Sequence, residues 1–274
     1  MATDIDQEIQ LLSAAASGNL SLIQSSPFAL TILPKLAEKA AKAPHPSVLA
    51  WTFTNGLTIP QESQNNPIYH AACESGSIAV FEVLLAQGLD LNKHTSESHG
   101  DALAYACMKG NLPLIKFLLS HTHDVNSGAR CSDRLALVWA VTHDSFSQDS
   151  GLEILKLLLK YGTNVEGTGA AIAAAEKDNL EALVLLLDAG AGMEEVVNWW
   201  GDSEKWRNEE EGTALFRACV KGKGRTVEYL IGRGARTDVE GSEGSSPYEV
   251  AENKRYGDVV KFLEVCGVTV EWPD

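Results

Sequence analysis

The sequence predicts an all-α solenoid of stacked helix-turn-helix units joined by hairpin loops. Three observations carry that reading. The first is self-similarity: PIYHAACESGSIAVFEVLLAQGLDLN, from Pro67, aligns without a gap to DALAYACMKGNLPLIKFLLSHTHDVN, from Asp101, at an offset of 34 residues. The second is the layout of one copy. Small residues (Ala72-Cys73, Ala106-Cys107, Ala218-Cys219) permit close helix contact, a turn glycine follows (Gly76, Gly110), and Val80, Phe81, Leu84 and Leu85 then fall on one helix face. The third is that such a unit has two apolar faces and cannot bury both alone, whereas stacked copies share one continuous core.

Along the chain, residues 10–24 (QLLSAAASGNLSLIQ) carry the alanine run and the turn glycine, and residues 34–59 carry a weaker copy with His45 after its turn. The two full copies from Pro67 and Asp101 follow. Residues 135–166 hold an interrupted copy, LALVWAVTHD then SGLEILKLLLKYGTNVE, and residues 169–191 a compact one, GAAIAAAEKDNLEALVLLLDAGA. Further copies start at Thr213 and Ser246. About eight units result, at 8–28, 30–59, 65–98, 100–130, 133–168, 169–192, 211–242 and 245–270, read as a single domain over 1–274.

The pattern resembles the ankyrin-repeat family. His70 falls on that family's capping histidine and Pro67 on its threonine. Thr213, Leu215 and Pro247 match its T-P-L core, and Gly88–Asn92 and Gly162–Val165 its G-A-D-V-N ending. The resemblance implies a structural role for His70 and a concave groove built from hairpin tips and exposed first-helix positions. The last unit departs as a polar cap would, with Glu252 for a small residue and Arg255 for the turn glycine.

Spacing departs too. The unit-closing positions Gly56, Gly88, Thr122, Gly162, Gly190, Gly234 and Gly267 are 32, 34, 40, 28, 44 and 33 residues apart, against a norm of about 33. About six extra residues therefore lie near Asp144–Asp149, the hairpin at Glu166–Gly169 is short, and about eleven extra lie within Met193–Glu211. That insertion, MEEVVNWWGDSEKWRNEEE, holds Trp199, Trp200, Trp206 and Arg207, the residue types that dominate binding energy at interfaces. A staple folded onto neighbouring helices is the competing reading.

Composition narrows the function. Apolar residues at 45% and charged residues at 22% suit a packed protein, not a disordered one. Against 37 acidic residues stand 22 basic ones, a net charge of −15, which disfavours nucleic acid and anionic membranes as partners. No apolar run approaches the roughly 18 residues of a membrane span, and the start, MATDIDQEIQ, has no secretory pattern. The five cysteines, Cys73, Cys107, Cys131, Cys219 and Cys266, form no CxxC spacing. Cytoplasmic or nuclear residence as a monomer is expected. Cys73, Cys107 and Cys219 share one slot and read as core.

The groove positions, the last two residues before each turn, are Glu74-Ser75, Met108-Lys109, Thr142-His143, Glu176-Lys177 and Val220-Lys221. With the tryptophan loop they suit an amphipathic peptide, or a small apolar ligand. No cofactor is implied: GxSxG, HExxH and Walker patterns are missing. No metal is expected, because His94, His99, His121, His123 and His143 lack a fixed ligand spacing. The function expected is a non-catalytic scaffold for a protein or peptide partner, with binding residues Trp199, Trp200, Trp206, Arg207, Met108, Lys109, Thr142, His143, Lys177 and Lys221. The alternative is a cofactor-free isomerase or cyclase acting on an apolar substrate, with His143, Glu74, Asp101 or Glu176 as acid or base.

Overall fold

A computed structural model describes residues 4–59, 63–64, 66–91, 94–95, 101–121, 125–126, 132–142, 148–197, 212–241 and 244–268. The chain divides into two compact units, Met1–Ser132 and Asp133–Asp274. The first runs α1 (Asp4–Ala16), α2 (Leu20–Gln24), a 3-10 turn (Pro27–Thr31), α3 (Leu33–Lys42), α4 (Pro46–Thr54), α5 (Pro67–Ser75), α6 (Ile78–Ala86), α7 (Ala102–Lys109) and α8 (Leu112–His121). Before α5 and α7 lie β1 (Ser63–Gln64) and β2 (His94–Thr95), which pair in parallel with Ser63 opposite His94. The second unit holds α9 (Ser132–Thr142), α10 (Gln148–Lys160), α11 (Ala170–Glu176), α12 (Leu180–Asp188), α13 (Ala214–Val220), α14 (Gly224–Gly232), α15 (Pro247–Asn253) and α16 (Gly257–Val265). The fold is the all-α repeat solenoid expected. Within the first unit α1, α3, α5 and α7 pack in a row, with α4 against α6 behind; within the second, α11, α13 and α15 pack in a row, with α10 on α12 and α14 on α16.

Small side chains set the spacing of each row. Ala71, Ala72 and Cys73, then Ala104, Ala106 and Cys107, are buried in the first unit, and all of Ala170–Ala175 with Ala218 and Cys219 in the second. Burial lifts the Cys73 and Cys107 thiols well above the usual range and pushes Cys219 up to about 12, so these three are inert packing residues. Large side chains such as Phe81, Leu84, Leu118 and Leu186, all on second-row helices, fill the space between the rows.

Helix starts are capped in regular register. Asn66 accepts from the Ile68 and Tyr69 amides, Asp101 from Ala104, Thr213 from Phe216, and Ser246 forms a full capping box with Glu249. This corrects the placing of Pro67 at the threonine position. Asn66 is the cap and Pro67 the first helical residue, like Pro247, because proline's missing amide costs nothing there. Tyr69 then reaches across to the next pair, its hydroxyl accepting the Ala102 amide at 2.7 Å.

Among the described residues, the turn inside a helix pair passes through a left-handed residue everywhere except between α3 and α4. Gly76 has φ 63° and Gly222 φ 63°, and the same role falls to Asp178 at 55° and Arg255 at 62°. A Cβ on Gly76 would lie 2.7 Å from Asn111 Nδ2. That amide donates to the Gly76 carbonyl at 3.0 Å while the Asn111 Oδ1 accepts the Leu114 amide. One asparagine thus caps its own helix and clamps the preceding turn. Two pairs earlier His45 clamps the preceding turn without capping its own helix by its side chain, its Nε2 donating to Ala16 O at 3.0 Å and its ring lying where a Cβ on Gly18 would sit. Tyr256 covers Gly222.

The departures in spacing have separate outcomes. Near Asp144–Asp149 part of the surplus lengthens α10 to 13 residues, against nine in α12; residues 143–147 lie outside the described residues. Gly151 in α10 sits where a Cβ would be 2.6 Å from Ala140 O, so the two helices cross too closely for a side chain. The short hairpin at Glu166–Gly169 turns through left-handed Gly167 and Gly169, pinned by Thr168 Oγ1 donating to Val165 O at 2.7 Å.

Two outcomes check this packing. Leu118, 1% exposed, should cost about 2–5 kcal/mol on Leu118→Ala, read as a lower urea midpoint; an unchanged midpoint contradicts its core position. Arg255→Gly should raise the midpoint by about 0.5–1 kcal/mol, since relief of a left-handed non-glycine residue, about 1–2 kcal/mol, outweighs glycine's entropy cost.

Candidate binding face

α3, α5 and α7 bury their small residues and turn their last residues toward solvent. In the first unit this brings Glu38 and Lys42 of α3, His70 and Glu74 of α5, and Tyr105, Met108 and Lys109 of α7 onto one surface. An open cleft of about 280 Å³ is lined by Glu38, Lys42, Pro67, His70, Ala71 and Glu74. Lys42 Nζ lies 2.8 Å from Glu74 Oε2, with 59% and 32% of the two side chains exposed. His70 Nδ1 is 3.7 Å from the other Glu74 oxygen. The His70 ring stands edge-on to Tyr105 at 6.2 Å, and Lys109 lies over the Tyr105 ring at 5.5 Å. The Lys42 hydrogen bond holds Glu74 below the usual carboxylate range against its own partial desolvation, with His70 and Lys109 adding to the effect. Lys42 is raised in turn, and desolvation lifts the Tyr105 phenol.

In the second unit Glu176 at the end of α11 takes a forked contact from Nε and Nη2 of Arg217 on α13. Only 12% of the arginine side chain is exposed, and desolvation lowers its pKa. Beside it Thr226 donates to Asp178 at 2.7 Å. Lys177 and Lys221 are exposed. Thr142 is half-buried and returns its hydroxyl to Val138 O at 2.8 Å. Val220, expected at the groove, is 1% exposed and belongs to the core.

Of the acid-base candidates, Asp101 is a buried cap of α7, while Glu74 and Glu176 are ion-paired. His143, Trp199, Trp200, Trp206 and Arg207 lie outside the described residues, as do His99 and His123. His121 is tied to its own helix, with Nδ1 donating to Phe117 O at 2.8 Å. Among the described residues no group of three or more His, Cys, Asp or Glu side chains is arranged to hold a metal ion, and no helix is long and apolar enough to cross a membrane. The root of the tryptophan-rich insertion is described, and it is anchored. Glu194 Oε1 accepts the Arg236 amide at 2.8 Å. Glu195 Oε1 accepts the Gly169 amide at 3.3 Å, at the start of a helix that has no side-chain cap of its own.

Lys42, Glu38 and Arg217 escaped the sequence reading. Groove positions were counted back from turns marked by glycine or, at Asp144 and Asp178, by aspartate, and the α3–α4 turn, Ala43-Pro44, has neither. Counting back from His45, the residue that clamps the previous turn, would have found Lys42.

The Glu74 carboxylate also sets a pH dependence. Its folded pKa is depressed, so its contribution to stability is present above the ordinary carboxylate pKa and is lost as pH falls through the lower folded value. The urea midpoints of wild type and Glu74→Gln should therefore differ near neutrality and converge in acid. A gap that widens in acid would overturn the assignment.

Comparison with known proteins agrees with this architecture. The profile of ankyrin repeats matches residues 68–168 in three copies. The ankyrin repeat and KH domain-containing protein mask-1 of Caenorhabditis elegans is 28% identical over 195 residues, 69% of this chain and 6% of that protein. The palmitoyltransferase AKR1 of Naumovozyma castellii is 36% identical over 83 residues, 28% of this chain and 11% of that protein. The chain thus spans a small part of the length of either relative. Residues 68–168 are thus ankyrin repeats, and helix pairs of the same kind continue on both sides of them.

Proposed function

We propose that the chain is a non-catalytic binding scaffold that holds a protein or peptide partner. The observation that carries it is the first-row face over α3, α5 and α7. Its polar side chains end in an exposed, exchangeable ion pair beside Met108 and Lys109, on a family whose repeats serve protein interaction. In the second unit Thr142, His143, Lys177 and Lys221 occupy the same register. On this reading the repeats number about eight between residues 8 and 270, and the protein works as a monomer in the cytoplasm or nucleus without nucleic acid, membrane or cofactor. Trp199, Trp200, Trp206 and Arg207 supply anchoring contacts from the insertion. The isomerase or cyclase alternative draws nothing from Asp101, a buried helix cap, or from Glu176, paired with a nearly buried arginine.

The anchored root refines where the insertion can be cut. Residues 198–211 should be replaceable by a short Gly-Ser bridge, provided Glu194 and Glu195 are kept. Helical signal should persist and stability should shift by only about 1 kcal/mol. Proteins captured from native lysate by the wild type should be lost from the trimmed protein, and from the double change Glu74→Lys with Lys109→Glu. A trimmed protein that misfolds would make the loop a staple. Unchanged capture by both variants would move binding off these residues.

A further inference from the structure

α1 carries two apolar stripes. Leu11, Ala14 and Ala15 are buried, on a helix that packs against α2 and α3. Ile5, Ile9, Leu12 and Ala16, at i, i+4, i+7 and i+11, form the other along one face of the helix. Ile5 is 70% exposed and Ile9 62%, Leu12 is half-buried, and Ala16 is exposed. Other exposed apolar side chains, Tyr161, Val196 and Val265 among them, are scattered singly, which is ordinary for a protein surface. Two isoleucines one turn apart on a regular stripe are the contact pattern of one helix lying along another.

The charges beside the stripe decide what lies there. α1 reads DIDQEIQLLSAAA, with Asp4, Asp6 and Glu8 and no lysine or arginine. A cation reaches it from α3, where Lys35 pairs with Glu8 at 2.5 Å. A second copy of the chain would bring the same acidic helix with no lysine or arginine on it, and so no charge to complement these carboxylates. A helix with leucine-like residues at i, i+4 and i+7 and lysine or arginine flanking them satisfies both features.

We infer that α1 docks a basic amphipathic helix from a partner protein, with Ile5, Ile9 and Leu12 as the apolar seam and Asp4, Asp6 and Glu8 as its acidic border. This surface is distinct from the cleft over α3 and α5, and it stands whether or not the cleft variants change capture.

The test is fluorescence anisotropy of the full chain at physiological ionic strength with two labelled synthetic peptides of about 18 residues. One places leucine at i, i+4 and i+7 among lysines; the other is a scramble of the same composition. The amphipathic peptide should bind about tenfold tighter than the scramble or better. The double change Ile5→Ser with Ile9→Ser should bring it to the scramble's level, with the circular dichroism spectrum and Tm unchanged because both side chains are exposed. Asp4→Asn with Asp6→Asn should weaken it several-fold. Equal binding of both peptides would show general attraction to an acidic chain and overturn the proposal, as would full affinity in the isoleucine variant. So would a dimer in sedimentation that Ile9→Ser dissociates, which would assign the stripe to a second copy.

Discussion

The left-handed turn between the two helices of a pair is the constraint on which the rest of this fold depends. It reverses the chain tightly enough for the two helices to lie side by side, and where glycine provides it, it leaves a space with no side chain. The next pair uses that space. Asn111 enters above Gly76, His45 above Gly18 and Tyr256 above Gly222. Two of the three donate a hydrogen bond to a backbone carbonyl at or beside the turn. The position is therefore conformational and steric at once, and a residue there answers to its neighbour as well as to its own backbone. Where the space is given up the chain finds a substitute. Asp178 bends the same way and uses its carboxylate to accept Thr226 from the following pair.

Because each pair is aligned on its neighbour through that turn, side chains at a given position recur in rows. The slot before the turn holds Cys73, Cys107 and Cys219, buried in the core, and a charged residue, Glu74, Lys109 or Lys221, follows one or two positions later. Backbone linkage adds to this register. Tyr69 takes the first amide of α7, a group the helix cannot satisfy itself. Glu195 takes the amide of Gly169 ahead of α11. In both cases an amide at a helix start is finished by a side chain from another repeat, so helix starts carry a share of the specific contacts between repeats.

Most of the fold was legible in the sequence because its signals are local. Turn glycines, alanine-rich first helices and the Leu-Leu stripe each follow from residues within one turn of the helix, and one or more of them mark most of the helix pairs. What was not legible is what depends on a neighbour. The offset of Asn66 and Pro67 by one residue turns on which side chain reaches the first amides. Lys42 was passed over because Ala43-Pro44 makes its turn without glycine. Val220 has the position of a groove residue and the burial of a core residue, since α13 packs between α11 and α15. No local pattern reveals that Glu195 caps a helix 26 residues earlier in the chain.

The two ion pairs between first-row helices show how one register can serve two purposes. Glu176 and Arg217 meet where the guanidinium is nearly out of water, so its charge depends on the carboxylate and neither can leave without stranding the other. That pair fixes α11 to α13. Lys42 and Glu74 join α3 to α5 in the same way, but both remain in contact with solvent. A solvated pair contributes little to stability and can exchange partners readily. Around it stand His70, Tyr105 and Lys109, each within reach of the same carboxylate or ring. An incoming carboxylate could take Lys42 and an incoming cation could take Glu74, and in either case the displaced side chain stays hydrated. The buried pair therefore holds two helices together, and the exposed one is the pair free to exchange, although the two carboxylates occupy equivalent places in their repeats.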